Sequence, residues 1–536
     1  MAAGSMNAVA PAGRDARSTM RLVIVASTLG TVFEWYDFFV YGTLAGLIGQ
    51  HFFPAGNPAV SLLIALATFG VGFGMRPVGA VLFGVLGDRL GRKYTFLATV
   101  ALMGAATAGV GLLPTYEQIG ISASILLLLL RVAQGLALGG EYGGAAVYVA
   151  EHAPAHKRGF YTSFINAAAT GGFLLSLCVV LAANAFIAKD DWAAWGWRVP
   201  FLFSLVLLGI SIWVRLLLHE SPVFRAMQEE GQVSRNPLRE SFDSWAKWRR
   251  VLVALFGVAA GLTVTFYTAQ FQSLYFIQNA VRIDDTPARL IVGCSAAASL
   301  GWCVFFGWLS DKVGRKPLLI LGNLLALALL FPLFHWMAAA GNPQQATAIA
   351  SAPVVVRGSD CRFDPFATGK QATACGRALD ALSKRGVAYT KLAGPPGAAP
   401  EVTIGGERVD TADDAALTTA LAKAGYVPGK VTPPLGDAIQ VSLAIMLVGF
   451  VSGMTYGPVA ALLVEMFPAR VRYTSLSIPY HIGSGYFGGF LPFINQYIVA
   501  RTGDPFAGLW YTMAVVAMAT LVLLFGLRET AGKELE

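Results

Sequence analysis

Five ionisable side chains lie inside long apolar stretches of the sequence, where each could carry charge or a proton through nonpolar surroundings. Glu34 and Asp37 are three residues apart within FEWYDFFVYG, so they share one face of a helix. Arg131 stands near the middle of another stretch, and Arg76 and Glu141 complete the set. A charge at the centre of a bilayer costs about 3 kcal/mol or more, so it normally faces an internal cavity or an opposite charge. The five residues are therefore candidate functional groups.

A buried carboxylate can be neutralised in two ways, by taking up a proton or by pairing with a cation. We predict that Asp37, with Glu34 second, takes up a proton or pairs with Arg131 in alternation, as a cavity opens to each side of a membrane. Glu141 is a further candidate for this proton coupling. The alternative is a static pair of Arg131 with a carboxylate, which would only hold two helices together.

Aromatic and polar side chains in the same stretches are candidates for the lining of a solute cavity, where an arginine would bind an anionic group. Each of them could equally serve packing. A lone histidine among small residues, such as His481, is more often a hydrogen-bonded packing residue. The set comprises Arg76, Tyr41, Asn166, Tyr267, Gln270, Tyr456, Tyr480 and His481.

The elements that hold these residues are long apolar helices. Of the 536 residues, 55% are hydrophobic and 13% are charged, a balance that a soluble domain does not show. A bilayer core about 30 Å thick is crossed by roughly 20 apolar residues. A large soluble all-α protein is the alternative, but its helices would each carry a polar face. The twelve predicted spans are 21–48, 58–86, 94–113, 122–146, 160–187, 199–218, 251–279, 287–309, 317–340, 437–458, 474–500 and 507–527.

Basic residues are distributed by loop parity, and this predicts the orientation of the chain. The loops around 49–57 and 114–121 contain no Lys or Arg. By the positive-inside rule the basic side is the cytoplasm, and an even number of spans places both termini there. The net charge of +8 then reflects topology rather than binding to nucleic acid. The first span lacks a signal-peptide cleavage site, so we expect it to stay in the mature protein.

An internal repeat divides the chain into two halves of six helices each. FGVLGDRLGRK at 83–93 matches FGWLSDKVGRK at 306–316, and EHAPAHKR at 151–158 matches EMFPARVR at 465–472. Glycines permit a tight turn in the first pair of loops, and a duplicated loop of this kind would serve as a gate. The predicted gate residues are Gly87, Asp88, Arg89, Gly91, Arg92, Lys93, Asp311, Gly314, Arg315 and Lys316.

The interval 341–436 is poor in apolar runs and rich in Gly, Pro, Ala and charge. Its patterns predict helices at 374–385 and 411–424 and strands at 386–392 and 401–405. We therefore expect a small extracytoplasmic α/β insertion between helices 9 and 10 of an otherwise all-α integral membrane protein.

Two of the five cysteines, Cys361 and Cys375, fall within this interval. An oxidising compartment would allow them to form a disulfide, and two unpaired thiols are the alternative. Their spacing does not suggest a metal site, which would need more ligands.

The predicted organisation follows from these boundaries. It comprises a cytoplasmic N-terminal tail at 1–20, the first half at 21–218, a cytoplasmic linker at 219–250, the second half at 251–340 and 437–527, the periplasmic insertion at 341–436 and a cytoplasmic C-terminal tail at 528–536.

The motifs resemble those of the major facilitator superfamily, and of its metabolite:proton symporters in particular. GDRLGRK at 87–93 and SDKVGRK at 310–316 resemble the loop signature of the superfamily. RVAQGLALGGEYGGA at 131–145 resembles its helix 4 signature, which makes Arg131 the buried arginine linked to proton coupling. FEWYDFFVYG, GMRPVGA and GWRVPF resemble the metabolite:proton symporters themselves. The insertion at 341–436 is the main departure from the family pattern.

The resemblance implies an alternating-access symporter of a bacterial inner membrane that carries small organic solutes with protons. Members of the family transport dicarboxylates, citrate, 2-oxoglutarate, shikimate, proline or betaine. It implies no cofactor beyond the proton gradient, no nucleic-acid partner and no enzyme activity, and we expect a monomer. A sensor that kept the fold without transport, or a uniporter or exchanger, is the alternative.

Overall fold

The structure is a computed structural model that describes residues 14–90, 92–140, 142–216, 240–367, 370–410, 413–427, 429–469 and 471–535. Within these ranges the side chains of residues 14–23, 26, 84–85, 87–90, 92–96, 142 and 214–216 lie outside the description. Glu141 and Gly91 are also outside the described residues.

Helices lie over every predicted span of the first half. Breaks at Leu44, Met75 and Gly140 divide three of the spans into consecutive helices. The helices are Arg14–Thr43, Ala45–Phe52, Pro58–Gly74, Arg76–Leu90, Arg92–Leu112, Ile121–Gly139, Tyr142–His152, Arg158–Phe186 and Val199–Leu216.

Helices also lie over the predicted spans of the second half, but two of these spans contain wider π-helical turns. The π-helical segments are Val253–Ala259, Thr268–Gln272 and Gly483–Gly489, and such turns are frequent at functional sites. The α-helices are Trp245–Leu252, Ala260–Tyr267, Ser273–Asn279, Asp285–Val313, Arg315–Gly341, Leu435–Tyr456, Val459–Met466, Arg472–Ile482, Leu491–Thr502 and Leu509–Gly526.

Length and composition mark these helices as membrane-crossing elements. Nine helices in the described part of the chain are long and apolar enough to span a bilayer. Apolar side chains such as Phe186, Trp213 and Phe525 are strongly exposed on the outside of the bundle. A surface of this kind is stable against lipid but not against water.

Three helices and a small four-stranded sheet form a unit within the interval of the predicted insertion. Its helices are Pro343–Ser351, Ala374–Lys384 and Asp414–Lys423, and its strands are β1 (Val354–Gly358), β2 (Thr390–Ala393), β3 (Glu401–Ile404) and β4 (Glu407–Val409). The strand order is β2-β1-β3-β4, with β1 and β2 parallel and the other pairs antiparallel. Strands β1 and β4 were not predicted from the sequence, and β2 begins four residues later than the strand predicted at 386–392.

A disulfide joins Cys361 to Cys375 in this unit, with 4.9 Å between their Cα atoms. Cys375 is buried in an apolar cluster that also contains Phe363 and Leu379. The other three cysteines, Cys178, Cys294 and Cys303, are free thiols.

The bundle has two distinct ends. We call the end that bears residues 343–434 the insertion end, and the end that bears Arg158, Asp311 and Arg472 the basic end. At the insertion end the hydroxyl of Tyr275 donates to the carbonyl of Gly42 at 2.7 Å, so the first helix contacts the second half there.

Candidate functional site

Two of the completely buried arginines in the bundle lie close together. Arg131 belongs to Ile121–Gly139, and Arg76 begins Arg76–Leu90; both are 0% exposed. Arg131 Nη2 lies 3.2 Å from the position that a Cβ on Gly72 would occupy. Gly72 is one helical turn, roughly 6 Å, before Arg76. A Cβ on Gly135 would overlap the carbonyl of Gly72, so glycine allows the two backbones this close approach.

Arg131 is positioned by one polar partner and a set of aromatic rings. Its Nη1 donates to Oε1 of Gln134 at 2.5 Å, and Gln134 Nε2 donates to Oγ1 of Thr107 at 2.8 Å. Its guanidinium carbon lies 4.0 Å from the ring centre of Phe38 and 4.4 Å from that of Tyr41. Its Nε and Nη2 have no hydrogen-bond partner. The guanidinium thus keeps two donors for a ligand.

Arg76 has a similar environment at the boundary between the halves. Its Nη1 donates to Oγ of Ser484 in the second half at 2.9 Å. Its guanidinium carbon lies 5.2 Å from the ring centre of Trp35 and 5.7 Å from that of Tyr480. Its Nε and Nη2 also lack hydrogen-bond partners, and no ion pair neutralises either arginine among the residues that the structure describes.

The carboxylates of the first helix lie in the same region. Glu34 and Asp37 are each 5% exposed, and Oδ1 of Asp37 has no hydrogen-bond partner. The predicted ion pair between Asp37 and Arg131 is not among the ion pairs of the described residues. Instead, Thr107 links the two elements, because its hydroxyl accepts from Gln134 and lies 3.4 Å from the carbonyl oxygen of Asp37.

Four predicted cavity residues are buried around this centre. Tyr267 has a hydroxyl without a hydrogen-bond partner, and its ring lies 5.3 Å from that of Phe73. The hydroxyls of Tyr456 and Tyr480 lie 3.3 Å apart. Neither ring nitrogen of His481 has a hydrogen-bond partner, so the interpretation of this residue as a hydrogen-bonded packing residue is wrong. Tyr267 and His481 thus give the centre polar atoms of the second half that have no hydrogen-bond partner.

The three remaining predicted cavity residues, Tyr41, Asn166 and Gln270, are also buried. The hydroxyl of Tyr41 donates to the carbonyl of Ala65 at 3.1 Å, although its ring faces Arg131. Nδ2 of Asn166 donates to the carbonyl of Tyr456 at 2.8 Å and so ties the two halves together. Gln270 is 3% exposed within a π-helical turn.

The second copy of the predicted gate loop is built around one carboxylate. Asp311 accepts from the backbone N–H groups of Gly159 and Phe160, both at 2.8 Å, and from Nη2 of Arg315 at 2.8 Å. It therefore caps the helix Arg158–Phe186 of the other half. The loop turns at Gly314, whose φ of 97° suits glycine.

Lys316 anchors the same loop to the end of the last helix. Its Nζ donates to the carbonyls of Leu524 and Leu527 at 2.9 and 2.8 Å. In the first copy, Gly87 lies in the helix Arg76–Leu90, whereas Gly91 and the side chains of Asp88, Arg89, Arg92 and Lys93 lie outside the description.

The weaker repeat supplies two ion pairs between the halves at the basic end. Arg158 pairs with Glu465 at 3.0 Å, and Arg472 pairs with Glu151 at 3.2 Å. Glu465 also pairs with Arg315 at 3.2 Å. The side chains of all five residues are no more than 8% exposed, so both pairs lie in a largely water-free seam.

Several residues that shape the site were not predicted from the sequence. Gln134 follows Arg131 by three residues, so helical spacing was a usable signal for it. Trp35 and Phe38 stand beside the carboxylates in FEWYDFFVYG. Ser484 had no local signal, because its role depends on a contact between helices that are far apart in the sequence.

The long apolar helices, the internal repeat and the buried charges together define a multi-pass membrane transporter. The chain belongs to the family described as "Sugar (and other) transporter", which matches residues 22–250 and 418–536. A second family, "MFS/sugar transport protein", matches residues 153–358. These matches confirm the resemblance to the major facilitator superfamily.

Individual relatives agree with this assignment. The inner membrane metabolite transport protein YhjE of Escherichia coli is 31% identical over 96% of this chain and 95% of its own length. The glycine betaine/proline/ectoine/pipecolic acid transporter OusA of Dickeya dadantii is 38% identical over 59% of this chain. The latter match spans 64% of OusA, less than two thirds of that relative.

Solved structures show the same fold. The crystal structure of a D-xylose-proton symporter matches with a TM-score of 0.61, and the match covers 96% of this chain and 99% of that one. The two sequences are 18% identical, so the likeness concerns the fold.

Proposed function

We propose that this protein imports a small organic solute with a carboxylate group, together with protons, by alternating access. The solute would be a dicarboxylate, 2-oxoglutarate, citrate, shikimate or a zwitterion such as proline or betaine. The relatives support a solute of this kind, since one of them is named for transport of betaine, proline, ectoine and pipecolic acid. The proton gradient would supply the energy, without a cofactor.

One observation carries the proposal. Arg76 and Arg131 are buried without a neutralising ion pair in the described residues, and each retains two unbonded donor atoms. An uncompensated guanidinium in a nonpolar interior is costly, so the site favours an anionic ligand that fills these donors. A carboxylate matches the planar fork of a guanidinium. The surrounding rings of Trp35, Phe38 and Tyr480 would enclose the less polar part of the solute.

Proton coupling is assigned to Asp37, with Glu34 second. Asp37 is buried and its Oδ1 is unbonded, so a proton is the simplest way to neutralise it when Arg131 is occupied by solute. Glu141 stays a candidate for the same role. Alternating access is supported by the separate contacts at the two ends, because each end can open while the other remains closed.

The membrane arrangement follows from the same reasoning. We infer twelve transmembrane helices in two halves, with the basic end and both termini in the cytoplasm and the α/β insertion on the periplasmic side of a bacterial inner membrane. The disulfide between Cys361 and Cys375 supports this side for the insertion. A monomer would suffice, since the proposed site lies between the two halves of one chain.

Uptake into energised membrane vesicles tests the function. A panel of labelled carboxylates, shikimate, proline and betaine is offered with and without a protonophore, to the parent protein, to Asp37→Asn and to the exposed control Asp190→Asn. We expect protonophore-sensitive uptake of at least one solute by the parent and the control, and its loss in Asp37→Asn. Undiminished uptake in Asp37→Asn and with the protonophore would indicate a uniporter or exchanger, and no uptake or counterflow of any solute would favour a sensor.

A further inference from the structure

The α/β insertion is seated on the second half through the loop that follows Ser273–Asn279. The backbone N–H of Asp284 donates to the carbonyl of Val431 at 2.9 Å, and the N–H of Val431 donates to the carbonyl of Arg282 at 2.8 Å. The hydroxyl of Thr432 donates to the carboxylate of Asp284 at 2.9 Å. Lys430 adds an ion pair with Asp285. Backbone pairing of this kind makes the contact specific in register.

A second contact between the insertion and the second half lies beside the loop that follows Leu491–Thr502. The backbone N–H of Tyr389 donates to the carbonyl of Gly503 at 3.2 Å, and Nη1 of Arg501 donates to the carbonyl of Phe363 at 2.9 Å. A Cβ on Gly503 would overlap the ring of Tyr389, so the ring lies directly on the backbone. Because it is attached at two separate loops, the insertion moves together with the second half.

The insertion also reaches across to the first half. Nδ2 of Asn57 donates to Oδ1 of Asp380 at 2.7 Å, and Asn57 is 3% exposed. Val60, 5% exposed, belongs to the same apolar cluster as Leu379 and Ile404 of the insertion. This patch combines a hydrogen bond to a charged group with buried apolar surface, so its separation would expose both to water.

The patch lies at the start of the helix that leads into the candidate solute site. Oδ1 of Asn57 accepts from the N–H of Ala59 at 3.0 Å and so caps Pro58–Gly74. That helix carries Gly72, which lies against Arg131, and it is followed directly by Arg76 after Met75. A movement of this helix away from the second half therefore breaks the contact with Asp380.

We propose that the insertion is a strap that holds the insertion end closed, and that its release from Asn57 and Val60 accompanies opening to that side. The proposal rests on the alternating access proposed above. Opening separates the first half from the second. Because the insertion is fixed to the second half at two loops, its contact with the first half must then break. The strength of this patch adds to the other contacts between the halves, such as that of Tyr275 with Gly42, and so contributes to how often the insertion end opens.

A distance measurement between the halves tests the strap without any need for transport. Spin labels are placed at the exposed positions Glu117 of the first half and Thr418 of the insertion, and their separation is measured by double electron–electron resonance in lipid nanodiscs. The free thiols Cys178, Cys294 and Cys303 are first replaced by alanine, while the disulfide is kept.

The variants separate the strap contact from other effects of the substitution. Asp380→Ala removes the acceptor of Asn57, and Val60→Ala weakens the apolar part independently. Asp380→Asn keeps an acceptor oxygen, and Lys384→Ala breaks the 3.0 Å ion pair of Asp380 with Lys384 while it spares the contact with Asn57. Asp380→Ala should raise the population at longer distances by about tenfold or more, the change that the loss of one hydrogen bond to a charged group makes to an equilibrium. Val60→Ala should change it in the same direction. Lys384→Ala should match the parent, and Asp380→Asn, which keeps a neutral acceptor, should lie between the parent and Asp380→Ala.

Unchanged distance distributions in both Asp380→Ala and Val60→Ala would overturn the proposal. A covalent test complements them, in which Ala59→Cys and Lys384→Cys are joined by a flexible bismaleimide. The joined protein should lose uptake of the solute identified in the vesicle assay by at least about tenfold, whereas the unjoined double variant should transport it. Full uptake by the joined protein would also overturn the strap, because the patch would then stay closed throughout the cycle. If no solute is transported at all, the distance measurement still decides the matter.

Discussion

Arg158 donates from Nη1 to Oε1 of Glu465 at 3.0 Å, and this ion pair joins the first half of the bundle to the second. The reciprocal pair, Arg472 with Glu151 at 3.2 Å, joins them again. These four residues are the first and last positions of the two copies EHAPAHKR and EMFPARVR. Each copy thus gives its acid to the arginine of the other, so the duplication has produced a symmetric closure of the basic end.

Glu465→Gln should weaken this closure strongly. The carboxylate of Glu465 is 0% exposed and serves both Arg158 and Arg315, so its loss leaves Arg158 without an ion pair among the described residues and leaves Arg315 with Asp311 alone. Breaking a buried pair from one side costs about 3–5 kcal/mol. Spin labels at the exposed positions His156 and Val313 should therefore report a separated basic end.

The exposed acid Glu407 provides the control for that measurement, since Glu407→Gln removes the same charge far from the seam. Identical distance distributions for Glu465→Gln and the parent would show that the ion pairs do not determine the closure.

Gln134→Leu should impair solute binding through Arg131. Gln134 Oε1 accepts the 2.5 Å hydrogen bond that orients the guanidinium, and leucine has no acceptor. A hydrogen bond to a charged group is worth about 1.5–3 kcal/mol. We expect KM for the transported solute to rise by roughly tenfold or more, with a smaller effect on the maximal rate.

Thr107→Val should give an intermediate rise in KM, because it removes the acceptor that holds Gln134 but leaves Gln134 in place. The exposed Gln440→Leu is the control. Equal KM values for Gln134→Leu and Gln440→Leu would show that Gln134 does not contribute to solute binding.

The sequence predicted the buried charges better than their partners. Arg131 and Asp37 were recognisable because a charge in an apolar helix is costly wherever it points. Ser484 and Thr107 were not, because a hydroxyl is common in such helices and becomes informative only when the facing helix is known. Asn166 shows the same limit, since its amide binds the main chain at Tyr456.

The insertion shows a different limit. The strand β4 is three residues long and pairs with β3 across Gly405 and Gly406, which have φ values of 58° and 87°. Its pairing is determined by this tight turn rather than by an alternating pattern of its own. The helices Ala374–Lys384 and Asp414–Lys423 lie within the predicted helices 374–385 and 411–424, and the capping side chains of Thr373 and Asp413 fix where each begins.

The C-terminal segment should detach from the basic end at acid pH. Burial alone would raise the pKa of Glu529, but hydrogen bonds from the N–H groups of Ala531, Arg315, Lys316 and Thr530 outweigh it and hold this pKa below its ordinary value. A carboxyl whose pKa is lower in the attached than in the detached state stabilises attachment. This stabilisation is complete above the ordinary pKa of about 4.3, and it is lost as the pH falls through the lowered pKa.

A spin label at the exposed position Glu534 checks this prediction by its mobility. The label should be restrained at neutral pH and should become mobile only when the pH falls below the ordinary pKa of a glutamate, whereas Glu529→Ala should raise its mobility at neutral pH. Glu407→Ala serves as the control. If the label in the parent became mobile near neutral pH, a group other than Glu529 would control the attachment.

Cys375→Ser should loosen the insertion while it leaves the helical bundle intact. The disulfide closes a loop over a sequence separation of 14, and closure of a loop near this length is worth about 3 kcal/mol to a small unit. Because Cys375 lies in the cluster that also contains Val60, the same change should weaken the contact with the first half. Hydrogen exchange should therefore accelerate in β1 and β3. In the spin-label background, where Cys361→Ala accompanies Cys375→Ser so that no unpaired thiol takes up label, the labels at Glu117 and Thr418 should move apart as in Val60→Ala. The free-thiol variant Cys178→Ser should leave the hydrogen exchange unchanged. Slow exchange in β1 and β3 of Cys375→Ser would mean that the apolar cluster alone maintains the insertion and its contact with the first half.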